Sequence, residues 1–273
     1  LPASESPFHR RQRCLPIGCH SCSSGDKADE VSPHLTLDAG NLYNPVRPWK
    51  ATENDMDSRQ ERLQRVHELL IREYGRREWR PHRDPVGELI HTILSQHTSD
   101  VNSHRAFDSL RAALPTWQEV RDAPEGRIAE AIRSAGLANV KAQRIKRILQ
   151  IISASANMDL SFLSQIGLRE AKAWLTSLPG VGPKTAACVL LFSLGQPALP
   201  VDTHVHRVSR RLGLIEPKVS AEAAHEILER DLAPTTVYSF HTNMVAHGRH
   251  VCRAQSPRCA VCVLQPECDY FND

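Results

Sequence analysis

The chain of 273 residues is 41% hydrophobic and 24% charged, and its formal net charge is only +3. This length is enough for one large or two modest domains with their own hydrophobic cores. No apolar run approaches the roughly 20 residues that a membrane-spanning helix needs, and no N-terminal segment is typical of a secretory signal. The composition therefore argues against a membrane or secreted protein, and it favours metal binding over disulfides as the use of the cysteines.

Basic residues are grouped along the chain although the net charge is small. They concentrate in residues 141–147, 207–211 and 249–258. Such groups are the electrostatic footprint of a nucleic-acid-binding protein, but they also occur as ordinary solvated helix faces. Charge alone therefore leaves both interpretations open.

The first 55 residues differ from the rest of the chain. Residues 1–55 are rich in short polar stretches and show no sustained periodicity, which predicts a disordered extension. The first methionine is Met56, so we expect translation to start near it, and native peptides from residues 1–50 would contradict this. A second metal site is an alternative use of the extension, at Cys14, Cys19, Cys22 and His20.

From Asp57 onward the apolar residues repeat at helical spacing almost everywhere. We find no convincing alternating strand pattern and no solenoid repeat, so the predicted fold class is all-α, built of short helices. Several helix ends are marked by capping residues. These are the expected caps Asp84, Asp100 and Thr116 (with Glu119), the first helical residue Pro85 and the terminator Gly136.

A Gly-x-Gly turn joins two of the predicted helices. It is formed by Gly180, Val181 and Gly182, and Pro183 suits the first position of the following helix. The free N–H groups at that helix start would form an anion site, for which a DNA phosphate is a natural ligand. An ordinary tight turn between helices is the alternative if the motif is taken alone.

A lysine and an aspartate follow the hairpin. Lys184 lies on the first helical turn after it, and Asp202 precedes another helical run. A neutral lysine amine can attack a sugar carbon and form a Schiff base, and we expect burial and nearby cations to lower its pKa. Asp202 is expected to relay protons or to stabilise the developing sugar cation, and its simpler role is helix capping alone.

Four cysteines end the chain in the pattern C-x6-C-x2-C-x5-C. Such a short loop can enclose one iron–sulfur cluster or one metal ion, and zinc remains the alternative. A fifth cysteine, Cys188, has apolar neighbours and is predicted to be buried packing. The four predicted ligands are Cys252, Cys259, Cys262 and Cys268.

The hairpin with its lysine, the Val-Asp-Thr-His segment at 201–204 and the cysteine tail together resemble the endonuclease III family of helix–hairpin–helix DNA glycosylases. The resemblance extends from about Asp57 to the C-terminus. It implies that Lys184 is the nucleophile, that Asp202 assists it, and that the cysteines hold a [4Fe–4S] cluster. It also implies a monovalent cation bound by hairpin carbonyls.

The resemblance further implies two helical lobes with a DNA groove between them. One is a six-helix barrel lobe with the helix–hairpin–helix, at 78–196, and the other is the iron–sulfur cluster lobe, at 57–77 plus 197–273. The expected partner is double-stranded DNA with damaged bases or abasic sites. The protein is expected to be a monomer in the cytoplasm, associated with the bacterial nucleoid.

Residues that open the duplex are expected outside the hairpin. His97 aligns with the residue that fills the gap left by the extruded nucleotide, and the neighbouring Gln96 is the alternative. Leu137 matches the apolar wedge, although packing after Gly136 is an equal alternative. Ser95 and Asp100 are expected to line the lesion pocket, and Arg207 and Arg253 to bind DNA phosphates.

The predicted function is removal of damaged bases, by family expectation oxidised pyrimidines, followed by β-elimination of the abasic strand. One alternative is an adenine-specific mismatch glycosylase, which typically lacks the lysine and has an added C-terminal domain. The other is a non-catalytic DNA-binding or redox module on the same scaffold. Lys184 and the end of the chain five residues after Cys268 argue against the mismatch glycosylase, and Lys184 and Asp202 together argue against the non-catalytic module.

Overall fold

The computed structural model describes residues 53–272, with side chains from residue 58. This part of the chain is helical and contains no strand, which confirms the all-α prediction. No described helix is long and apolar enough to cross a membrane. Residues 1–52, with the predicted second metal site, lie outside the described residues. The helices are α1 Glu53–Tyr74, α2 Pro85–Ser95, α3 Asp100–Ala113, α4 Trp117–Asp122, α5 Glu125–Ala131, α6 Ala138–Ala156, α7 Leu168–Thr176, α8 Pro183–Leu194, α9 Thr203–Arg211, α10 Ala221–Asp231, α11 Val237–His250 and α12 Asp269–Asn272.

Two hydrophobic clusters make up the interior of the described chain. The first takes its buried residues from 86–190 together with Ala198, and helices α2 to α8 supply most of them. The second combines residues 63–70 of α1 with Leu191 and buried residues of 199–268. The N-terminal helix thus packs with the C-terminal part of the chain, while the residues between them have a core of their own. The lobe boundaries drawn from the sequence stay a prediction.

Most helix ends have the caps that the sequence predicts. Asp84 accepts a hydrogen bond from the Gly87 amide at 2.8 Å, and Thr116 accepts one from the Glu119 amide at 3.1 Å. Gly136 ends a 3-10 turn at a φ of +66°. One prediction was wrong, because Ser99 and not Asp100 caps α3 by accepting from the Asn102 amide.

Helix α1 begins at Glu53, inside the stretch assigned to the N-terminal extension. Its apolar stripe of Leu63, Val66 and Leu70 is fully buried, and the helix ends before Gly75, whose φ is +80°. The extension therefore ends at least two residues earlier than the sequence pattern indicates. The short polar residues before Asp57 lack an apolar stripe, which is why periodicity did not include them in the helix.

Candidate active site and DNA-facing surface

The hairpin joins α7 to α8 through a turn that needs one of its two glycines. Gly180 has a φ of +72°, and the Arg144 side chain packs where its Cβ would lie. Gly182 has a φ of −96° and open space around it, so its conformation is available to any residue. Val181 is buried in the first core, whereas Gly180 and Gly182 are exposed. The exposed backbone at the start of α8, not the Val181 side chain, is thus available to an anion.

Lys184 lies on the first turn of α8 and meets Cys188 one turn later, a contact that i, i+4 spacing allows. The pKa of Lys184 is raised, first by the Cys188 sulfur and then by Asp202 and Glu88, against burial, which lowers it. Burial raises the pKa of Cys188 to about 11. The expectation of a lowered lysine pKa was wrong, because the Cys188 sulfur and the carboxylates of Asp202 and Glu88 outweigh burial, and no cation among the described residues acts on the amine.

Asp202 caps α9, as the sequence predicts. One of its carboxylate oxygens accepts hydrogen bonds from the His204 amide at 2.9 Å and the Val205 amide at 2.8 Å. The carboxylate is partly exposed and lies near Lys184 and His241. Capping and proximity to the lysine are therefore combined in one side chain, and the cap fixes the orientation of the carboxylate.

Two buried histidines hold the segment that delivers Asp202. His225 of α10 donates from Nδ1 to the Leu199 carbonyl at 2.8 Å, and its Nε2 lies 3.4 Å from the Val201 amide. His241 of α11 donates from Nδ1 to the Pro200 carbonyl at 2.9 Å. Burial lowers the pKa of both histidines to about 4, so they are neutral at pH 7 and act as fixed hydrogen-bonding groups. Sequence reasoning missed both histidines, because only the fold brings them there. It also missed Cys188 as the partner of Lys184, although their i, i+4 spacing on one helix is a signal that the sequence contains.

The two candidates for the gap-filling residue have different environments. Gln96 is half-buried and is held by hydrogen bonds within the protein. Its side-chain oxygen accepts from Arg144 at 2.8 Å, and its side-chain nitrogen donates to the Gly180 carbonyl at 3.2 Å and lies 3.4 Å from the Thr185 hydroxyl. His97 is exposed and has a φ of +52°. Gln96 therefore braces the hairpin, and His97 is the residue that projects from this turn.

Leu137 also projects from the protein in a left-handed conformation. Its φ is +49°, its side chain is 63% exposed, and it directly precedes α6. Left-handed backbone is unfavourable for a residue with a Cβ and is found where the surroundings enforce it. An exposed leucine in this conformation is not core packing, so the structure removes that alternative for Leu137.

The predicted pocket residues do not form one buried cavity. Ser95 is half-buried and its hydroxyl donates to the Thr92 carbonyl at 2.8 Å. Asp100 is exposed and pairs with Arg249 of α11 at 2.6 Å. This ion pair joins helices of the two cores, but its exposure means that it contributes little stability.

The two arginines expected to bind phosphates are placed differently. Arg207 donates to the carbonyls of Cys252 at 3.1 Å and Gly248 at 2.8 Å, so it fastens the cysteine loop to α11. These bonds hold the half-buried guanidinium against the protein, and Arg207 as a phosphate ligand stays a prediction. Arg253 is exposed on the same loop and stays available for a phosphate.

Comparison with known proteins identifies the family. Residues 90–234 match the model of the HhH-GPD superfamily of base excision DNA repair proteins. Endonuclease III of Thermotoga maritima is 36% identical over 212 residues, which are 75% of this chain and 93% of that protein. Endonuclease III of Sulfolobus acidocaldarius is 32% identical over 193 residues, 70% of this chain and 84% of that protein.

The chain belongs to the endonuclease III family.

Solved structures of the family agree with this assignment. A non-covalent endonuclease III–DNA complex superimposes with a TM-score of 0.68 at 28% identity, covering 78% of this chain and 96% of that one. A trapped endonuclease III–DNA covalent intermediate gives the same TM-score and identity, and this chain covers 97% of it. This member of the endonuclease III family is a DNA glycosylase and AP lyase of base excision repair.

In this endonuclease III relative, residues of the cysteine loop line one cavity. All four cysteines line it, together with Arg211, Arg258 and Tyr270 among others. Four thiols around one cavity are the donor set of an iron–sulfur cluster, so the residues fit that cofactor.

Hydrogen bonds to sulfur surround this cavity. The Cys252 sulfur accepts from Arg211 at 3.2 Å, and the Cys262 sulfur lies 3.4 Å from Nε2 of His247. The other ring nitrogen of His247 lies 3.0 Å from the Tyr74 hydroxyl of α1. Such donors stabilise negative charge on thiolates and orient them.

His225 is buried in its neutral form, so we expect the unfolding free energy of the protein to depend on pH. The ordinary pKa of this group is 6.5, and burial, with smaller effects of Lys172 and His241, lowers it to about 4 against the opposing effects of the Leu199 carbonyl and Glu222. The unfolded chain therefore binds more protons between these values, so the group destabilises the fold progressively as the pH falls from 6.5 towards 4. We expect His225→Asn, which keeps a donor at the Nδ1 position, to flatten the pH slope of the unfolding free energy by up to about 1.4 kcal/mol per pH unit.

Urea denaturation between pH 4.5 and 7 measures this slope, with the substitution His250→Asn at an exposed position as control. Parallel slopes for His225→Asn and wild type would contradict the assignment.

Proposed function

We propose that this enzyme removes damaged bases through a Schiff base on Lys184, with Asp202 as the assisting carboxylate. The observation that carries the proposal is the placement of a lysine amine directly after an exposed hairpin backbone and next to a carboxylate held at the start of α9. A phosphate bound at the hairpin would place the adjoining sugar within reach of the amine.

The chemistry needs the lysine as a neutral amine. The raised pKa of Lys184 means that the resting group is an ammonium, so a proton must leave before attack. Asp202 is the neighbouring anion that can receive it. The amine then forms a bond to the sugar C1′ while the C1′–base bond breaks, and the base leaves with a proton. The C1′–O4′ bond breaks next, as a proton moves from the lysine nitrogen to O4′, which opens the sugar ring and leaves an iminium between C1′ and the nitrogen. Loss of the C2′ proton from the resulting iminium breaks the bond from C3′ to its phosphate oxygen.

The extruded nucleotide leaves a gap in the duplex, which the exposed residues beside the hairpin are suited to fill. His97 is the residue that enters the gap and Leu137 is the wedge against the opposite strand, since both project from the surface. Gly180, Gly182 and Arg253 contribute phosphate contacts. Gln96 supports the hairpin through its hydrogen bonds with the Gly180 carbonyl and Arg144.

The substrate class and cofactors follow the family. The substrates are duplexes with oxidised pyrimidines or abasic sites, and the four cysteines hold a [4Fe–4S] cluster that fixes the loop bearing Arg253. When bound, the cluster supplies structural cohesion to this loop. A monovalent cation would bind hairpin carbonyls; that of Gly180 keeps a second lone pair beside its bond from Gln96. A monomeric state and a cytoplasmic, nucleoid-associated location stay predictions.

Trapping with borohydride tests the nucleophile. The wild-type enzyme incubated with an abasic duplex and borohydride should give a covalent complex on a denaturing gel, because the imine is reduced to a stable amine. Lys184→Ala should lose both this complex and strand scission, while it still binds DNA through the hairpin amides. The control, exposed Lys218→Ala, should behave as wild type. Trapping that persists in Lys184→Ala would refute the assignment, and an active wild type that cannot be trapped would favour the monofunctional mismatch glycosylase.

Substitution of the two adjacent turn residues separates bracing from gap filling. His97→Gly tolerates the left-handed backbone and removes no hydrogen bond within the protein, so the unfolding free energy should change by less than about 0.5 kcal/mol. Base release from a paired duplex should nevertheless slow. Gln96→Ala should destabilise the protein by roughly 1–3 kcal/mol, because it leaves Arg144 and the hairpin unpaired. Chemical denaturation measures the loss of stability and single-turnover kinetics the rate of base release, so together they distinguish bracing from gap filling. A His97→Gly enzyme with wild-type rates would exclude His97 as the gap-filling residue.

Metal analysis tests the cofactor. Protein purified without oxygen should be yellow-brown and contain about four irons per chain. Cys259→Ser should lose the colour, whereas Cys188→Ser, which changes a thiol outside the cavity, should keep it. A colourless wild-type protein with one zinc ion would overturn the cluster assignment.

A further inference from the structure

Lys141 of α6 is a buried lysine with no acidic partner among its hydrogen bonds. It is 2% exposed, and the three N–H donors of its ammonium are shared among four oxygens within hydrogen-bond distance. These are the carbonyls of Leu94 at 2.9 Å, Gln96 at 2.8 Å and Ala135 at 2.9 Å, and the hydroxyl of Thr98 at 2.9 Å. The charge is therefore compensated by backbone and hydroxyl dipoles, which is a costly arrangement unless every acceptor is in place.

The acceptors come from two helix ends. Leu94 and Gln96 lie at the C-terminus of α2, and Ala135 ends the 3-10 turn Arg133–Ala135. Carbonyls at a helix C-terminus lack partners within the helix and form the negative end of its dipole. The Lys141 ammonium thus binds carbonyls of both helix ends. The Thr98 hydroxyl, which donates to the Ala135 carbonyl, links the two ends directly.

Each of these ends continues into a residue that projects from the surface. His97 lies between Gln96 and Thr98, and Leu137 lies two residues after Ala135. Both residues have left-handed backbone, with φ of +52° and +49°. A residue with a Cβ stays in this region only when surrounding bonds hold it there, and the bonds to Lys141 are on either side of His97 and just before Leu137.

We propose that Lys141 is a positioning residue that holds His97 and Leu137 together in the conformation that opens the duplex. This inference rests on the proposed function. Without the ammonium, the carbonyls of two helix ends would lose their shared donor, and both turns could relax from left-handed backbone. The two side chains that enter DNA from opposite strands would then lose their fixed spacing, while Lys184 and Asp202 would keep their own contacts.

The test compares DNA that must be opened with DNA that is already open. Lys141→Met keeps the alkyl chain and removes the charge. We expect its single-turnover rate on a paired lesion duplex to fall at least about tenfold, because a small displacement of positioned groups has large kinetic effects. Borohydride trapping on an abasic site in single-stranded DNA should stay within about threefold of wild type, since no duplex has to be opened. Lys146→Met is the matched control. Lys146 lies on the same helix as Lys141, but its ammonium donates to one carbonyl, that of Ala123.

A fluorescent base analogue reports the opening itself. 2-Aminopurine opposite the lesion should brighten when saturating wild-type enzyme or Lys146→Met unstacks it, and it should stay dim with Lys141→Met. Thr98→Val, which removes the direct link between the turns and one of the four acceptors of Lys141, should give an intermediate loss and serves as the second variant if Lys141→Met does not fold. Equal losses on paired and single-stranded DNA for the folded variants, or no loss on either, would overturn the inference. A wild-type enzyme inactive on both substrates would instead refute the proposed function.

Discussion

Helix α8 packs against both hydrophobic cores, and the position of the active site depends on this packing. Val189 and Leu190 belong to the first core and Leu191 to the second. The helix is apolar on nearly every side, so it is stable only when the residues before and after it in the chain enclose it. Lys184 is held on its first turn, and its orientation is therefore determined by the joint packing of the two clusters.

The environment of each buried lysine decides its chemistry. Lys141 meets only neutral oxygens from helix ends, and burial lowers its pKa. Lys184 lies near a thiol and a carboxylate, and its pKa is raised. The first group has its donors fully used by the protein, which suits it to holding turns in place. The second has a neighbouring carboxylate that can accept a proton, which suits it to reaction with a sugar.

Neutral polar groups hold the Asp202 carboxylate in place. His225 and His241 fix three successive backbone positions before Asp202 by hydrogen bonds, and α9 fixes the carboxylate itself through its first amides. Because both histidines are neutral at pH 7, they orient the segment without adding a charge beside Lys184. This arrangement leaves the electrostatics of the site to the lysine, the carboxylate and the DNA phosphates.

Local patterns in the sequence determined the helices, the hairpin and the cysteine loop. The Asp84–Pro85 start, the capping residue Thr116 and the Gly180 turn depend on neighbours a few residues away, so they can be predicted from the chain itself. Tertiary structure decided which polar side chains are used inside the protein. Periodicity shows which face of a helix is apolar, but it does not show which distant carbonyl a lysine or arginine will meet. The Arg207 guanidinium meets carbonyls more than 40 residues away, and Gln96 meets a hairpin 84 residues away. For this reason the fold, and not the sequence, left His97 exposed, tied Arg207 to the cysteine loop and brought Lys141 to both turns.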